Sequence, residues 1–303
     1  MTVKTLPRVA LMGSVAYDII GTTDKVFDRY GPGLNCKVNS QQQFLGGCGG
    51  NIAYGLRQQA TPNLLLSSAG SEDFRRYAQH LGNDLPGVLT IKGAHCAKAN
   101  IITDPNGAQF TAFAPGPEVG VDDWTKHLQS QPLEHMDVFV CAPFPTALMQ
   151  LALTHVKERS PNTLNVWVPG QYADGLDAGA LERAMGCCDV VIGNSHEIQH
   201  LRETKKASLV GKTTIETDGS RPVRARLRDG NQRTLPTPRV TPIVDPTGCG
   251  DAFIAGLVPA LLRAIDEHGV SQWERNINDI IRAGTLQASK CISHRGSQTY
   301  GTQ

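Results

Sequence analysis

The chain has little net charge and no long hydrophobic run. Lysine and arginine together number 29 and aspartate and glutamate 28, a formal net charge of +1, so charge gives no case for binding nucleic acid. No apolar run approaches the length of a membrane-spanning helix, and the short polar stretch before Val9 lacks the form of a signal peptide. We therefore expect a cytoplasmic protein that binds neither a membrane nor nucleic acid.

Paired cysteines are also missing. The eight cysteines form no Cys-x-x-Cys motif, and Cys187 and Cys188 are adjacent, so neither a zinc ribbon nor a redox pair is indicated. Reduced, mostly buried thiols are the expectation. With 303 residues and 40% hydrophobic content, the chain is long enough to bury the core of one α/β domain with a small appendage.

Short apolar runs alternate with helical patterns along the second half of the chain. The predicted strands are 137–142, 165–168 and 189–193, and the predicted helices are 146–159 and 178–186. Such alternation predicts a central, mostly parallel sheet with helices on both faces. Near the start, Val9 to Gly13 predicts a buried strand that Ser14 to Ile20 continues, and this stretch carries a single carboxylate, Asp18.

A glycine-rich turn runs directly into an apolar helical stretch at residues 245–257. Gly248 and Gly250 allow a phosphate to approach the main chain, and the start of the following helix offers unpaired backbone N–H groups. An acidic residue there repels an anion but can accept a proton from an attacking hydroxyl. Asp251 is therefore predicted to be a general base. The alternative is a tight turn in which Asp251 caps the helix.

A second glycine cluster occupies residues 46–50 and ends at Asn51. A dinucleotide-binding fingerprint is excluded, because Ile52 stands at the third glycine position after Gly47 and Gly49. A P-loop is excluded as well, since Lys206 stands where the first glycine would precede Gly211.

Two motifs overlap at residues 193–200. His196, Glu197 and His200 match the His-Glu-x-x-His pattern of zinc hydrolases, with Glu216 as a conceivable third ligand. The same stretch also reads Asn194-x-x-Glu197, directly after a predicted strand. A helix that begins at the carboxyl edge of a sheet suits nucleotide chemistry better than zinc hydrolysis.

The run Asp245-Pro246-Thr247-Gly248-Cys249-Gly250-Asp251 resembles the signature of the ribokinase-like (PfkB-type) carbohydrate and nucleoside kinases. The cluster at 46–51, the Asn194-x-x-Glu197 motif and Thr217-Asp218-Gly219 resemble further marks of that family. The resemblance implies an ATP-dependent kinase that uses Mg²⁺, with potassium as a further candidate ion. It implies these roles: Asp251, Gly248 and Gly250 catalytic; Asp18, Gly47 and Asn51 substrate-binding; Asn194, Thr217, Gly219, Gly248 and Gly250 nucleotide-binding; Glu197 metal-binding.

The family resemblance also implies one domain, 1–303, with a discontinuous β-sheet lid. The lid is expected from about 14–45 and 95–113, where Ala97 to Phe113 predicts a hairpin around Pro105-Asn106-Gly107. Closure of such a lid would exclude water from the transferred group. A homodimer through the lid is a further expectation.

The amino-acid sequence of residues 46–54, 109–116 and 168–171 resembles that of the bacterial adenosine-kinase-like branch of the family. It implies phosphorylation of a nucleoside at its 5′-hydroxyl, adenosine first, with Tyr17, Phe110 and Phe113 as candidates for the wall of a base pocket. A sugar kinase is the alternative, and a non-catalytic sensor of nucleoside and ATP is a remote one. Two positions depart from the family pattern: Asn100 in the lid bears on the choice of a nucleoside, and Pro222 near the nucleotide loop bears on the shape of the adenine side.

Overall fold

Thirteen strands form two separate sheets in the computed structural model, which describes residues 7–27, 35–82, 85–106 and 108–301. The larger sheet has the strand order β13-β12-β11-β10-β9-β8-β1-β4-β5. Its members are β1 (Val9–Met12), β4 (Asn63–Gly70), β5 (Val88–Ile91), β8 (Val138–Cys141), β9 (Leu164–Trp167), β10 (Val190–Asn194), β11 (Thr213–Asp218), β12 (Arg221–Arg226) and β13 (Gln232–Leu235). The pairs β11–β12 and β12–β13 are antiparallel, and the other strand pairs of this sheet are parallel.

Helices cover both faces of this sheet, because its central strands β1, β8 and β9 are buried at every position on both sides. One face packs against α1 (Cys48–Gln58), α2 (Phe74–Leu81), α7 (Cys249–His268) and α8 (Ile277–Cys291), and the other against α3 (Val121–Gln129), α4 (Thr146–Arg159), α5 (Ala178–Cys187) and α6 (Ser195–Gln199). In β1, Val9 and Leu11 face the first layer while Ala10 and Met12 face the second. The predicted α/β architecture is confirmed.

The smaller sheet has four strands in the order β3-β2-β6-β7. They are β2 (Ala16–Thr22), β3 (Ser40–Gly46), β6 (Ala97–Thr103) and β7 (Gln109–Ala114). The prediction that Ser14 to Ile20 continues β1 is wrong, because the chain leaves the larger sheet after Met12 and Ala16 begins a strand of the smaller one. The β6–β7 hairpin forms as predicted, although Gly107 of its turn, like 28–34 of the expected lid, lies outside the described residues.

Among the described residues, no helix is both long and apolar enough to span a membrane.

Candidate functional site

A cavity of about 170 Å³ lies at the carboxyl edge of β8 to β11, against the first turns of α1 and α7. Parallel strands end at the same edge of a sheet, so residues distant in sequence meet there. Asn194, Glu197, Thr217, Gly250 and Asp251 all line this cavity. The structure therefore brings together side chains that the sequence predicted from three separate motifs.

The loop before α7 presents free backbone donors to this cavity. Gly248 has φ 77°, a left-handed conformation that favours glycine, and a Cβ there would overlap Ser297. Among the described residues, no acceptor takes a hydrogen bond from the backbone N–H groups of Gly248, Gly250 or Asp251. A Cβ added at Gly250 would meet no heavy atom within 4 Å. The loop is thus open to an anion at the positive end of a 20-residue helix.

Asp245 holds this loop in place. Its Oδ1 accepts from the backbone N–H of Thr247 at 2.9 Å, and its Oδ2 accepts from that of Gly296 at 2.9 Å. The backbone N–H of Asp245 donates to the carbonyl of Ile292 at 3.2 Å. The anion loop is therefore fixed to the end of the chain rather than left flexible.

Asp251 occupies the first turn of α7, where its carboxylate is oriented by α1. Asn51 Nδ2 donates to Asp251 Oδ2 at 2.8 Å, and the thiol of Cys48 is a second side-chain donor. Burial raises the pKa of Asp251 to about 7, against these hydrogen bonds, and the nearby Asp18 and Glu197 carboxylates raise it further. A carboxyl group with this pKa can both accept and release a proton near neutrality.

The oxygen of the Asn51 side chain is already occupied. Oδ1 accepts from Ser297 Oγ and from Gln298 Nε2, each at 2.9 Å, and one amide hydrogen is used on Asp251. A carbonyl oxygen has two lone pairs, so only one N–H of Asn51 is left for a substrate. The sequence motif gave no sign of Ser297 and Gln298 as partners of Asn51, because these contacts span more than 240 residues.

Gly47 begins α1 and sets the direction of Asn51. It has φ 83°, and a Cβ there would lie 2.6 Å from the carbonyl oxygen of Ser14. Only glycine fits this turn without strain. The backbone geometry at the start of α1 therefore requires glycine at position 47, and the substrate-binding role of Gly47 stays a prediction.

Asp18 is buried without a hydrogen-bond donor. Its side chain lies on β2 at 6% exposure, and no described residue donates to its carboxylate. Burial raises the pKa of Asp18 to about 6, and the charge of Asp245 adds to the increase. A buried carboxylate whose lone pairs accept no hydrogen bond from the protein can accept hydrogen bonds from ligand hydroxyls.

Strand register determines which aromatic residues share the face of Asp18. Asp18 lies opposite Phe44 and beside Ala99, which pairs with Phe113. Phe113 therefore shares this face, as predicted for a base-pocket wall, and Phe44 joins it unpredicted.

Tyr17 and Phe110 occupy the opposite face of the smaller sheet. Tyr17 donates its hydroxyl to the carbonyl of Asp73 at 2.6 Å, so placing Tyr17 and Phe110 in the pocket wall is wrong. Asn100 also lies on that opposite face, because it is the register partner of Ile19. The departure at Asn100 therefore does not alter the face that carries Asp18.

Asn194 and Glu197 form a capping box at the start of α6. Asn194 Oδ1 accepts from the backbone N–H of Glu197, and Glu197 Oε2 accepts from that of Asn194, both at 2.9 Å. Both residues line the cavity, and no hydrogen bond in the described part of the chain uses the Asn194 side-chain amide hydrogens or Glu197 Oε1. Burial raises the pKa of Glu197.

The zinc alternative finds no support in the geometry. The α-helix ends at Gln199, before His200, and His196 is exposed. The described part of the chain contains no group of three or more His, Cys, Asp or Glu side chains that could hold a metal ion. One carboxylate with free lone pairs, Glu197, instead fits Mg²⁺ carried by nucleotide phosphates and completed by water.

Thr217, the next-to-last residue of β11, lies at the cavity, and Gly219 follows the strand in a turn with φ 57°. The register shifts here, so that Thr217 lies opposite a two-residue stretch of β12 that contains Pro222. A β-bulge is one of the few places within a sheet that accept proline. Pro222 therefore fits the sheet at the strand pair that carries Thr217.

The arginine series on and after β12 is exposed and largely paired. Arg221 contacts Asp218 at 2.7 Å, Arg224 forms an ion pair with Glu216, and Arg228 lies 3.1 Å from Glu274. The arginines of β12 therefore occupy the solvent-exposed face of the strand, where acidic neighbours pair with Arg221 and Arg224.

Comparisons with known proteins agree with this geometry. Residues 6–302 match the model of the pfkB family carbohydrate kinases. A nucleoside kinase of Methanocaldococcus jannaschii is 22% identical over 270 residues, covering 86% of this chain and 85% of the relative. An ATP-dependent ribose-1-phosphate kinase of Halopiger xanaduensis is 26% identical over 273 residues, covering 84% and 85%.

Among solved structures, the nucleoside kinase of Burkholderia thailandensis in complex with inosine superimposes with a TM-score of 0.81. It is 25% identical, and the match covers 97% of this chain and 94% of that one. A ribokinase from Cryptococcus neoformans with ADP shares the fold, with a TM-score of 0.78 at 17% identity and coverage of 97% and 96%.

Proposed function

The chain belongs to the pfkB family of carbohydrate kinases, and from this premise we propose that it transfers the γ-phosphoryl group of ATP to the 5′-hydroxyl of a nucleoside, adenosine first. It is a phosphotransferase that acts on an alcohol group, of the nucleoside or sugar kinase kind. The proposal concerns the acceptor and the roles of individual residues.

The observation that carries the proposal is Asp251 beside free backbone donors. The carboxylate, with a pKa raised to about 7, would accept the proton of the attacking hydroxyl. The N–H groups of Gly248, Gly250 and Asp251 would stabilise the charge that develops on the phosphoryl oxygens. A base next to an anion site has a use in phosphoryl transfer and none in simple anion binding.

The nucleotide would lie along the carboxyl edge of the larger sheet. Asn194 would donate its amide hydrogens to phosphate, and Thr217 and Gly219 would contact the rest of the nucleotide. Bound Mg²⁺ would neutralise charge on the phosphates, held by Glu197 through water. Potassium near the Asp245 loop stays a proposal from the family resemblance, tested by replacing potassium with sodium in the assay.

Asp18 would bind the sugar of the substrate. Its free lone pairs can accept from two neighbouring ribose hydroxyls at once. Every other described strand position on its face of the smaller sheet is uncharged, including Ile20, Phe44 and Ile101. Such a face suits an uncharged base better than a second phosphate, which favours a nucleoside over a sugar phosphate.

The smaller sheet would act as a lid and as a dimer contact. Its outer strand β7 is exposed along its whole length, with Phe110 57% exposed. An exposed apolar edge strand is a ready site for pairing with a second copy. Phe110→Asp, measured by light scattering, should give a monomer if this contact forms the dimer.

The experiment is magnesium-ATP-dependent ADP release in a coupled assay with adenosine, inosine, cytidine, ribose, fructose and ribose 1-phosphate. The expected result is turnover with nucleosides that Asp251→Asn abolishes. Turnover with ribose, fructose or ribose 1-phosphate alone would replace the nucleoside by a sugar acceptor. Tight nucleoside and ATP binding without ADP release would favour the sensor alternative.

A further inference from the structure

The segment Gly296-Ser297-Gln298, near the end of the chain, reaches the site through two buried side chains. Ser297 is 1% exposed and Gln298 is 3% exposed. Both donate to the same atom, Asn51 Oδ1, at 2.9 Å. Neither side chain has a hydrogen bond to Asp251 in the described part of the chain, so we expect their effect on the carboxylate to pass through Asn51.

The donor and the acceptor of each hydrogen bond are fixed along the series that joins Gly46, Tyr77, Gln298 and Asn51. The carbonyl of Gly46, at the end of β3, can only accept, and Tyr77 donates its hydroxyl to it at 2.5 Å. The oxygen of Tyr77 then accepts from Gln298 Nε2 at 2.7 Å. This places the amide hydrogens of Gln298, and not its oxygen, toward Tyr77 and Asn51.

The orientation of Asn51 follows from that of Gln298. Because Gln298 Nε2 can only donate, Asn51 must present its oxygen to it, and the Asn51 amide nitrogen then points at Asp251 Oδ2. A reversed Asn51 would place its own oxygen against the carboxylate. The backbone of β3 thus sets the polarity of hydrogen bonds that end on the predicted base.

We propose that Gln298, assisted by Ser297, is a positioning residue for catalysis: it fixes the side-chain amide of Asn51 so that Asn51 holds the Asp251 carboxylate in the orientation that accepts the proton of the acceptor hydroxyl. The proposal rests on the function proposed above, because it assigns Asp251 as the base. It adds Ser297 and Gln298 to the residues that support catalysis.

Packing alone does not account for an amide at position 298. Gln298 Oε1 is buried and has no hydrogen-bond partner among the described residues. An unsatisfied buried oxygen destabilises a fold, and an apolar side chain of the same length would avoid it. The donor contacts of Nε2 with Asn51, Tyr77 and, at 3.4 Å, the carbonyl of Gly46 explain why an amide stands here.

The test compares Gln298→Met, which keeps the length of the side chain but removes its donors, with Ser297→Ala. Thr299→Ala is the matched control, since Thr299 Oγ1 contacts the carbonyls of Arg295 and Gly296 rather than Asn51. We expect kcat to fall about tenfold in Gln298→Met and about threefold in Ser297→Ala, with KM for ATP unchanged. The Cys48 thiol remains beside Asp251 in both variants, which limits the loss.

A second readout does not depend on activity. The side-chain amide signals of Asn51 in the ¹H–¹⁵N NMR spectrum, assigned by their loss in Asn51→Ala, should be slow to exchange in the wild type and in Thr299→Ala. They should become fast to exchange in Gln298→Met. This NMR measurement tests the positioning of Asn51 even if the wild type shows no turnover with any tested acceptor. Such a lack of turnover would contradict the proposed function alone.

Two results would overturn the positioning role. One is a folded Gln298→Met protein with wild-type kcat. The other is a uniform loss of kcat and thermal stability with the Asn51 amide signals unchanged, which would make Gln298 a purely structural residue.

Discussion

The two carboxylates of the site, Asp251 on α7 and Asp18 on the smaller sheet, are both buried but differ in their partners. Asp251 is held by Asn51 and Cys48, whereas no described residue donates to Asp18. Burial raises the pKa of both, to about 7 and about 6. A group that moves a proton must be oriented before the substrate arrives, while a group that binds the substrate must keep its lone pairs free.

The surrounding elements differ in the same way. The larger sheet supplies rigid strand ends, a helix start and a loop fixed by Asp245. The smaller sheet supplies a face of four strands that contains Asp18 and otherwise uncharged side chains. In the proposed function, the larger sheet would carry phosphoryl transfer and the smaller one would recognise the acceptor.

The largest effect is expected at Asp251. Asp251→Asn should lower kcat by about 10²–10⁴-fold, because the amide cannot accept the hydroxyl proton, while the Kd for the acceptor changes little. Steady-state kinetics and calorimetric binding measure the two quantities. Asp279→Asn, which alters an exposed ion pair with Arg282, is the matched control. Full turnover in a folded Asp251→Asn protein would remove the distinction between the two carboxylates.

Asp18 should show the opposite pattern. Asp18→Asn should raise KM for the nucleoside about a hundredfold or more, since two charge-assisted hydrogen bonds are weakened, and leave KM for ATP unchanged. Nucleosides that lack the 2′- or 3′-hydroxyl should bind the wild type more weakly than the parent nucleoside does. For Asp18→Asn this difference in affinity should be much smaller. If the deoxy acceptors lose equally with both proteins, Asp18 does not contact the diol.

The pH dependence of kcat/KM is expected to reflect both groups. A protonated Asp251 cannot act as a base, so kcat/KM should fall about tenfold per unit below an apparent pKa of about 7. A further decrease is expected below about 6, where Asp18 is protonated, and it should disappear in Asp18→Asn. A profile that stays flat well below pH 7 would contradict the assignment of Asp251.

The smallest effect concerns the stability of the ligand-free protein. Both carboxyl groups have folded pKa values above the ordinary value of 3.8, so their contribution is fully present below that value and is lost as pH rises through 6 and 7. Asp18→Asn should therefore raise Tm by a few degrees at about pH 8 and change it little at acid pH. A lower Tm at both pH values would show that the Asp18 carboxylate stabilises the empty fold.

Much of the fold and of the site follows from sequence patterns. Strand ends at Asn194 and Thr217 and the helix start at Gly248 could be placed together, because parallel strands and their following helices share one edge. The capping box of Asn194 and Glu197 is likewise visible in the residue spacing.

Other features depend on register and long-range contacts that leave no spacing signal. The apolar stretch from Val9 to Ile20 looks like one strand, yet the chain changes sheets within it. Asn100 lies on the face opposite Asp18 because β6 pairs with β2 in the register that sets Asn100 beside Ile19, whereas the position of Tyr17 follows from strand alternation alone. The contacts of Gln298 with Tyr77 and Asn51 join three distant segments, so no local motif could predict them.

The most direct test of the account is to identify the phosphorylated product. Wild-type protein is incubated with Mg²⁺, ATP labelled in its γ-phosphoryl group and adenosine or inosine, and the products are separated and analysed by mass spectrometry and ³¹P NMR. The account predicts one labelled nucleoside 5′-monophosphate for each ADP, and none with Asp251→Asn. Label found only in inorganic phosphate, or on a position other than the 5′-oxygen, would contradict it.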